Sequence, residues 1–315
     1  MPLVALSLVL GTLIAIPHAG GMCGEWEAGR GGSVSDLAFL ERARALRLAR
    51  PTRLPLQLSP QAPHTIGASE RATYDVHYGV LGRVGELTLS SEAPALTADG
   101  LPVLALRAEG AGAVLGLGRF QRTIDSEFDL RRRASSRWRS TRRSVGLASD
   151  ETVSDSVVHQ AGDSLLIQRR KAPSPAPTAQ EILSPAGVTS DPLGLIWRLR
   201  TQVPRPGERV VLQMLDGMAL WRVEVRGVSG GPVLVPGSPG RLGDELDAEL
   251  TPILYNGQRD PARPDRRFRL WLATDTNHVP LRLEMPMGPA DAVLILKEAH
   301  VAPRVPRAPI APHAR

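Results

Sequence analysis

The sequence predicts an all-β protein: a strongly curved antiparallel sheet, arranged as a barrel, a half-barrel or a sandwich, with one short helix packed against it. Three observations lead there. Runs of alternating apolar and polar residues recur through residues 70–298, and a period of two lets a strand bury one face and wet the other. These runs follow one another with almost no helical periodicity between them, which favours antiparallel neighbours over helical crossovers. The last, residues 266–298, resolves into three strands at 268–274, 279–285 and 291–296, parted by Asp275-Thr276-Asn277 and Pro286-Met287-Gly288-Pro289. We expect this meander to be the closing edge of the sheet, with Leu270 and Leu272 on its buried face and Asp275 as a turn former.

The chain opens with an apolar run at residues 3–16, then Pro17 and the small cluster Ala19-Gly20-Gly21. As a helix the run spans about 21 Å, short of a roughly 30 Å hydrocarbon core. Residues 1–22 therefore read as a signal-peptide-like segment, and export to the periplasm follows. Cys23, the single cysteine, stands where a bacterial lipoprotein carries its acylated residue; it is the candidate lipidation site, with cleavage near residues 19–21 as the alternative. One cysteine excludes an internal disulfide and a cysteine-based zinc site. Residues 23–69 form a basic helix and a Pro-rich linker: 35–49 place Phe39, Leu40, Ala43 and Leu46 on one stripe among arginines, and 51–68 contain four prolines.

The β domain spans 70–300. Its expected strands are 73–78, 85–91, 102–109, 122–130, 136–144, 154–160 and 164–170, with residues 171–185 a proline-rich loop. Residues 191–199, DPLGLIWRL, form the one expected helix, because Asp191 can cap the free amides and Pro192 occupies the first turn, where no N–H is needed. A hairpin follows, 209–215 and 218–225 around Asp216-Gly217, since both turn positions tolerate positive φ. Residues 301–315 lack periodicity and are expected to be a disordered tail.

These residues carry a resemblance. Tyr74 with Tyr78-Gly79-Val80-Leu81-Gly82-Arg83-Val84-Gly85, then Arg122-Thr123-Ile124-Asp125-Ser126, Asp191-Pro192-Leu193 running to Arg198-Leu199-Arg200, Pro206-Gly207-Glu208, and Trp271-Leu272-Ala273-Thr274-Asp275 before Val279-Pro280 together resemble an uncharacterised bacterial family of exported domains, DUF3108. The likeness covers about residues 70–298. It implies a periplasmic or outer-membrane-associated β-domain and carries no catalytic residues over.

Composition narrows the function. Only 4% of residues are aromatic, so the core is aliphatic and base stacking has few platforms. Of 38 basic residues only Lys171 and Lys297 are lysine, the mark of a G+C-rich coding sequence rather than of a nucleic-acid partner. Seven arginines flank Trp138 in residues 131–143; on a strand Arg133, Arg137, Arg139 and Arg143 share one face and Trp138 turns inward, giving a solvated basic face and a candidate contact for an anionic surface. Gly227-Val228-Ser229-Gly230-Gly231 matches the nucleophile-elbow spacing, but strand-like residues follow where the elbow needs a helix. Residues 110–118, GAGAVLGLG, lack the helix that a phosphate loop requires and read as a turn. Asp75 with His77 and Asp275 with His278 read as structural pairs. No catalytic, cofactor or metal residues are expected. The expected function is that of a non-enzymatic cell-envelope protein binding an apolar or lipid-like ligand in the sheet's concavity, with an envelope membrane surface or envelope protein as a further partner and no nucleic acid; the alternative is a structural or protein-interaction module of the envelope, and a hydrolase ranks third.

Overall fold

A computed structural model describes residues 69–302 apart from 99, 115–117, 146–151, 162–163, 172–177, 184–187, 218, 237 and 287–289. The signal-like segment, Cys23, the basic helix, the linker and the tail beyond 302 lie outside the described residues. Sixteen strands form a single sheet whose ladders are all antiparallel. In chain order they are β1 (Glu70–Tyr78), β2 (Arg83–Ser91), β3 (Ala95–Leu96), β4 (Pro102–Val114), β5 (Gly118–Asp129), β6 (Ala134–Val145), β7 (Thr152–Ala161), β8 (Ser164–Lys171) and β9 (Thr178–Leu183). After helix α1 (Pro192–Thr201) come β10 (Arg209–Asp216), β11 (Ala219–Gly227), β12 (Gly231–Val235), β13 (Ser238–Ile253), β14 (Arg266–Ala273), β15 (Pro280–Pro286) and β16 (Asp291–Val301).

Neighbours in the sheet run β10-β11-β13-β14-β15-β16-β1-β2-β4-β5-β6-β7-β8-β9, with β3 on β4 and β12 on β13. The terminal meander is therefore not a closing edge. It lies mid-sheet, because the first strand pairs with the last, Val76 opposite Leu294, and the ladder ends instead at β10 and β9. Two further expectations change. Residues 171–185 are not all loop, since β9 lies within them, and β13 occupies a stretch without an expected strand. Residues 110–118 end one strand and begin the next. There Gly112 faces Gly85, and a side chain on Gly112 would strike the Phe120 ring, so these glycines serve close packing.

Period-two alternation sends Tyr74 and Val76, Leu104 and Leu106, Ile124 and Phe128, Val223 and Val225, Leu246 and Leu250, Leu270 and Leu272, and Leu294 and Leu296 to one face, where all are buried together. Each such side chain contributes about 1.5–3 kcal/mol on burial. The sheet curls until its arms meet: Trp138, Val158, Leu165 and Ile167 of β6–β8 pack on Leu215 and Leu220 of β10 and β11. Contact between the arms is through side chains, and no hydrogen-bonded ladder joins β9 to β10 among the described residues.

Helix α1 fills the concavity, touching β4, β5, β6 and β10. Its anchor is Asp191, which is fully buried. One carboxylate oxygen accepts from the Leu193 and Gly194 amides (2.8 and 3.4 Å), and the other from the hydroxyls of Ser126 (2.6 Å) and Ser135. Burial of a carboxyl group is tolerable when its oxygens are hydrogen-bonded this way, so the cap also bolts the helix to β5 and β6. Gly194 is required because a side chain there would strike the Ser135 hydroxyl.

Candidate functional site

Where α1 crosses β1, β2 and β4, a cleft of about 420 Å³ remains, part of it open to solvent. Only about 40 Å³ of it admits the centre of a water-sized sphere, which suits a few atoms at depth rather than a whole acyl chain. The inward positions of the strands place Ala72, Tyr74, Leu89, Ser91 and Leu106 on its floor, and α1 supplies Leu193, Ile196 and Trp197 as its roof. Val279 and Pro280 close one side.

Arg200, in the last turn of α1, holds the mouth. Its guanidinium donates to Glu70 Oε2 (2.6 Å), to the Asn277 carbonyl (2.8 Å) and to the His278 carbonyl (3.2 Å), and stacks over the Trp197 ring at 4.3 Å. The turn it grips is set by Asp275, whose Oδ1 accepts from the Asn277 and His278 amides, and His278 takes a left-handed φ of 45°. Asp275 thus forms the turn as expected. The His278 ring bonds the Ala273 carbonyl at 2.9 Å, and the His278 backbone amide donates to Asp275 Oδ1 at 3.2 Å.

Three polar atoms in the cleft wall are buried with no hydrogen-bond partner among the described residues: Tyr74 Oη, Ser91 Oγ and Trp197 Nε1. Burial drives the Tyr74 phenol far above its ordinary range, offset in part by the nearby Arg200 charge. It is therefore a neutral donor at all physiological pH values. Apolar walls with three unanswered polar atoms can hold an apolar body and hydrogen-bond a small polar group upon it.

No family model matches the chain. The curated proteins also hold no match. Among solved structures, the chain is similar to a β-barrel-like protein of a domain of unknown function, DUF1849, from Brucella abortus, at 10% identity and a TM-score of 0.48, with 75% of this chain and 98% of that chain covered. At that identity and score the likeness says nothing about a site.

The arginine face differs from expectation. Arg133 precedes β6, in a turn with φ 54°, so it leaves the strand face. Arg137, Arg139 and Arg143 are exposed on the outer side, but acidic neighbours interleave with them: Arg137 meets Glu127 at 3.4 Å, and Arg139 grips Asp155 through two bonds of 3.0 and 2.7 Å. That surface is a mixed ion-pair network rather than a basic field. Trp138 does turn inward.

Ser229 is exposed between β11 and β12, a strand-to-strand connection without elbow geometry. Asp75 pairs with Arg83 at 2.6 Å. Among the described residues no group of three His, Cys, Asp or Glu is placed to hold a metal. Spacing could not have found Tyr74, Ser91 and Trp197, because only the docking of α1 unites them.

Proposed function

We propose that this is a non-enzymatic β domain of the cell envelope that holds a small amphiphile under α1. The observation that carries the reading is the trio of unpartnered atoms, Tyr74 Oη, Ser91 Oγ and Trp197 Nε1, in a cleft whose depth is mainly apolar and whose mouth carries Glu70 and Arg200. Leaving such groups buried and unpaired costs about 1–3 kcal/mol each, and a ligand with a compact polar head would recover part of that. The volume limits the enclosed part of the occupant to a few atoms, such as the end of an acyl tail or the edge of a compact ring, since the sheet's concavity is itself filled by core side chains and α1. Glu70, opposite Ser91 in the β1–β2 ladder, accepts from Arg200 and not from the Ser91 hydroxyl, which favours binding over reaction. Envelope location is supported by the apolar segment at residues 3–16 and by the resemblance to DUF3108.

Titrating the full chain with octanoate and laurate, followed by amide NMR shifts, tests the cleft. Shifts should cluster at β1, β2 and α1, and Leu89→Trp, which fills the partly exposed floor, should abolish them while the fold persists. Absence of any shift leaves the interaction-module reading in its place. Fractionation of cells together with fatty-acid labelling, compared with Cys23→Ser, tests anchoring through Cys23.

A further inference from the structure

The cleft beneath α1 holds an uneven stock of hydrogen-bonding groups. Trp197 Nε1 can only donate, and it is buried without a partner among the described residues. Burial keeps the Tyr74 phenol protonated, and its hydroxyl and that of Ser91 are likewise unanswered. The three residues are 9%, 2% and 5% exposed, in the order Trp197, Tyr74, Ser91. Arg200 adds further donors at the mouth. Its Nε and Nη2 serve Glu70 and the carbonyls of Asn277 and His278, and none of these bonds uses Nη1.

Acceptors are scarcer. Glu70 is the one carboxylate in the lining, and it holds Arg200 through a single oxygen, Oε2. The other cation of the lining, Arg107, is half-exposed and already paired with Glu109 and Asp125. The remaining groups converge on one space. Arg200 and Glu70 both act electrostatically on the Tyr74 phenol, Arg200 lies over the Trp197 ring, and Ser91 stands opposite Glu70 in the β1–β2 ladder. An occupant must therefore bring acceptors to meet donors that the protein leaves unpaired.

We propose that the polar head of the occupant is a carboxylate, with Glu70 as its exchangeable competitor for Arg200. The inference rests on the reading of the cleft as a binding site and names the class of ligand, a monocarboxylate with an apolar tail. A carboxylate has two oxygens and about four lone-pair positions, enough for the Arg200 guanidinium together with Tyr74 Oη and Trp197 Nε1, and its bonds to a cation are the stronger kind. A hydroxyl head brings one uncharged oxygen, and an ammonium head brings donors alone. Two carboxylates crowded on one guanidinium repel. Glu70 has a way out, because it is the first residue of β1 and its side chain is 16% exposed. As the ligand's head takes Arg200, Glu70 turns to water; one ion pair replaces another, and no proton or covalent bond changes hands.

Titrations of the full chain with octanoate, octanol and octylamine, followed by amide NMR shifts at β1, β2 and α1, compare three heads on one tail. Octanoate should bind about tenfold or more tighter than octanol, and octylamine should bind weakest. Glu70→Gln, which removes the competitor, should tighten octanoate relative to octanol, and Arg200→Gln should erase the octanoate preference. Each variant is judged by the ratio of two ligands in the same protein, so a general loosening of the mouth does not mimic the result. Should Arg200→Gln bind neither ligand, the ratio in Glu70→Gln decides. Octanol equal to octanoate in wild type, a ratio that Glu70→Gln lowers or leaves unchanged, a preference that Arg200→Gln retains, or octylamine as the best ligand overturns the carboxylate head and leaves the cleft reading standing. If none of the three ligands shifts those amides, the cleft reading falls and this inference falls with it.

Discussion

Tyr74 shows how a single side chain links burial, charge state and binding. Its ring is part of the core, while its hydroxyl finds no partner among the described residues. Tyr74→Phe should therefore leave the unliganded protein as stable as wild type at neutral pH, or up to about 1 kcal/mol more stable. The difference widens in alkali. A phenol raised above its unfolded value contributes stability that is complete below about pH 10 and is lost as pH climbs toward the folded value. Between these limits wild type should lose about 1.4 kcal/mol per pH unit more than Tyr74→Phe. Taking the difference between the two proteins removes the contributions of Tyr78, Tyr255 and Arg142, which shift as well. Urea titrations at several pH values measure it; parallel curves would mean that the hydroxyl is hydrated or already bonded.

Strand β14 carries its stability in one register. Leu270 and Leu272 are fully buried, whereas Arg269 points outward to Glu284 at 2.6 Å. Leu272→Asp places an unpaired carboxylate in the core, a change of more than about 4 kcal/mol in a domain whose whole stability is about 5–15 kcal/mol. It should abolish the cooperative melt, while Asp275→Asn, in the exposed turn, should keep it. Elements with strong local chemistry were legible from sequence: the alternation of β14, the Asp216-Gly217 hairpin, and the Asp191-Pro192 start of α1. Strand β13 was not, because Asp244, Glu245, Asp247 and Glu249 have low strand preference and mask the inward series Leu246, Ala248 and Leu250. Strand β9 was hidden behind Pro173, Pro175 and Pro177. Asp216 was legible as a turn residue; its ion pair with Arg122 at 2.7 Å depends on the curl, which no local pattern records.

For the molecule as a whole, curvature does what ladder closure does in a barrel. Side chains from β6–β8 meet those of β10 and β11, α1 occupies the space between, and Arg122 with Asp216 ties the arms across the gap. Both ends of the domain lie side by side, with the Ala302 amide donating to the Ser69 carbonyl at 2.9 Å. Ending the chain at residue 290 deletes β16 and strips β1 and β15 of a shared neighbour in mid-sheet. Such a chain should show no cooperative melt and should be cut by protease throughout, although most of the sheet's sequence is present. A protected fragment covering β2–β8 would show instead that one arm folds alone.

That pairing has a consequence in time. During synthesis β1 leaves the ribosome first among the strands, and the strand that completes its ladder leaves last. Contacts between residues so far apart in sequence form slowly, because a long loop must close before they reward it. The nascent chain therefore stays incompletely folded until β16 is made, so the middle of the sheet is completed last.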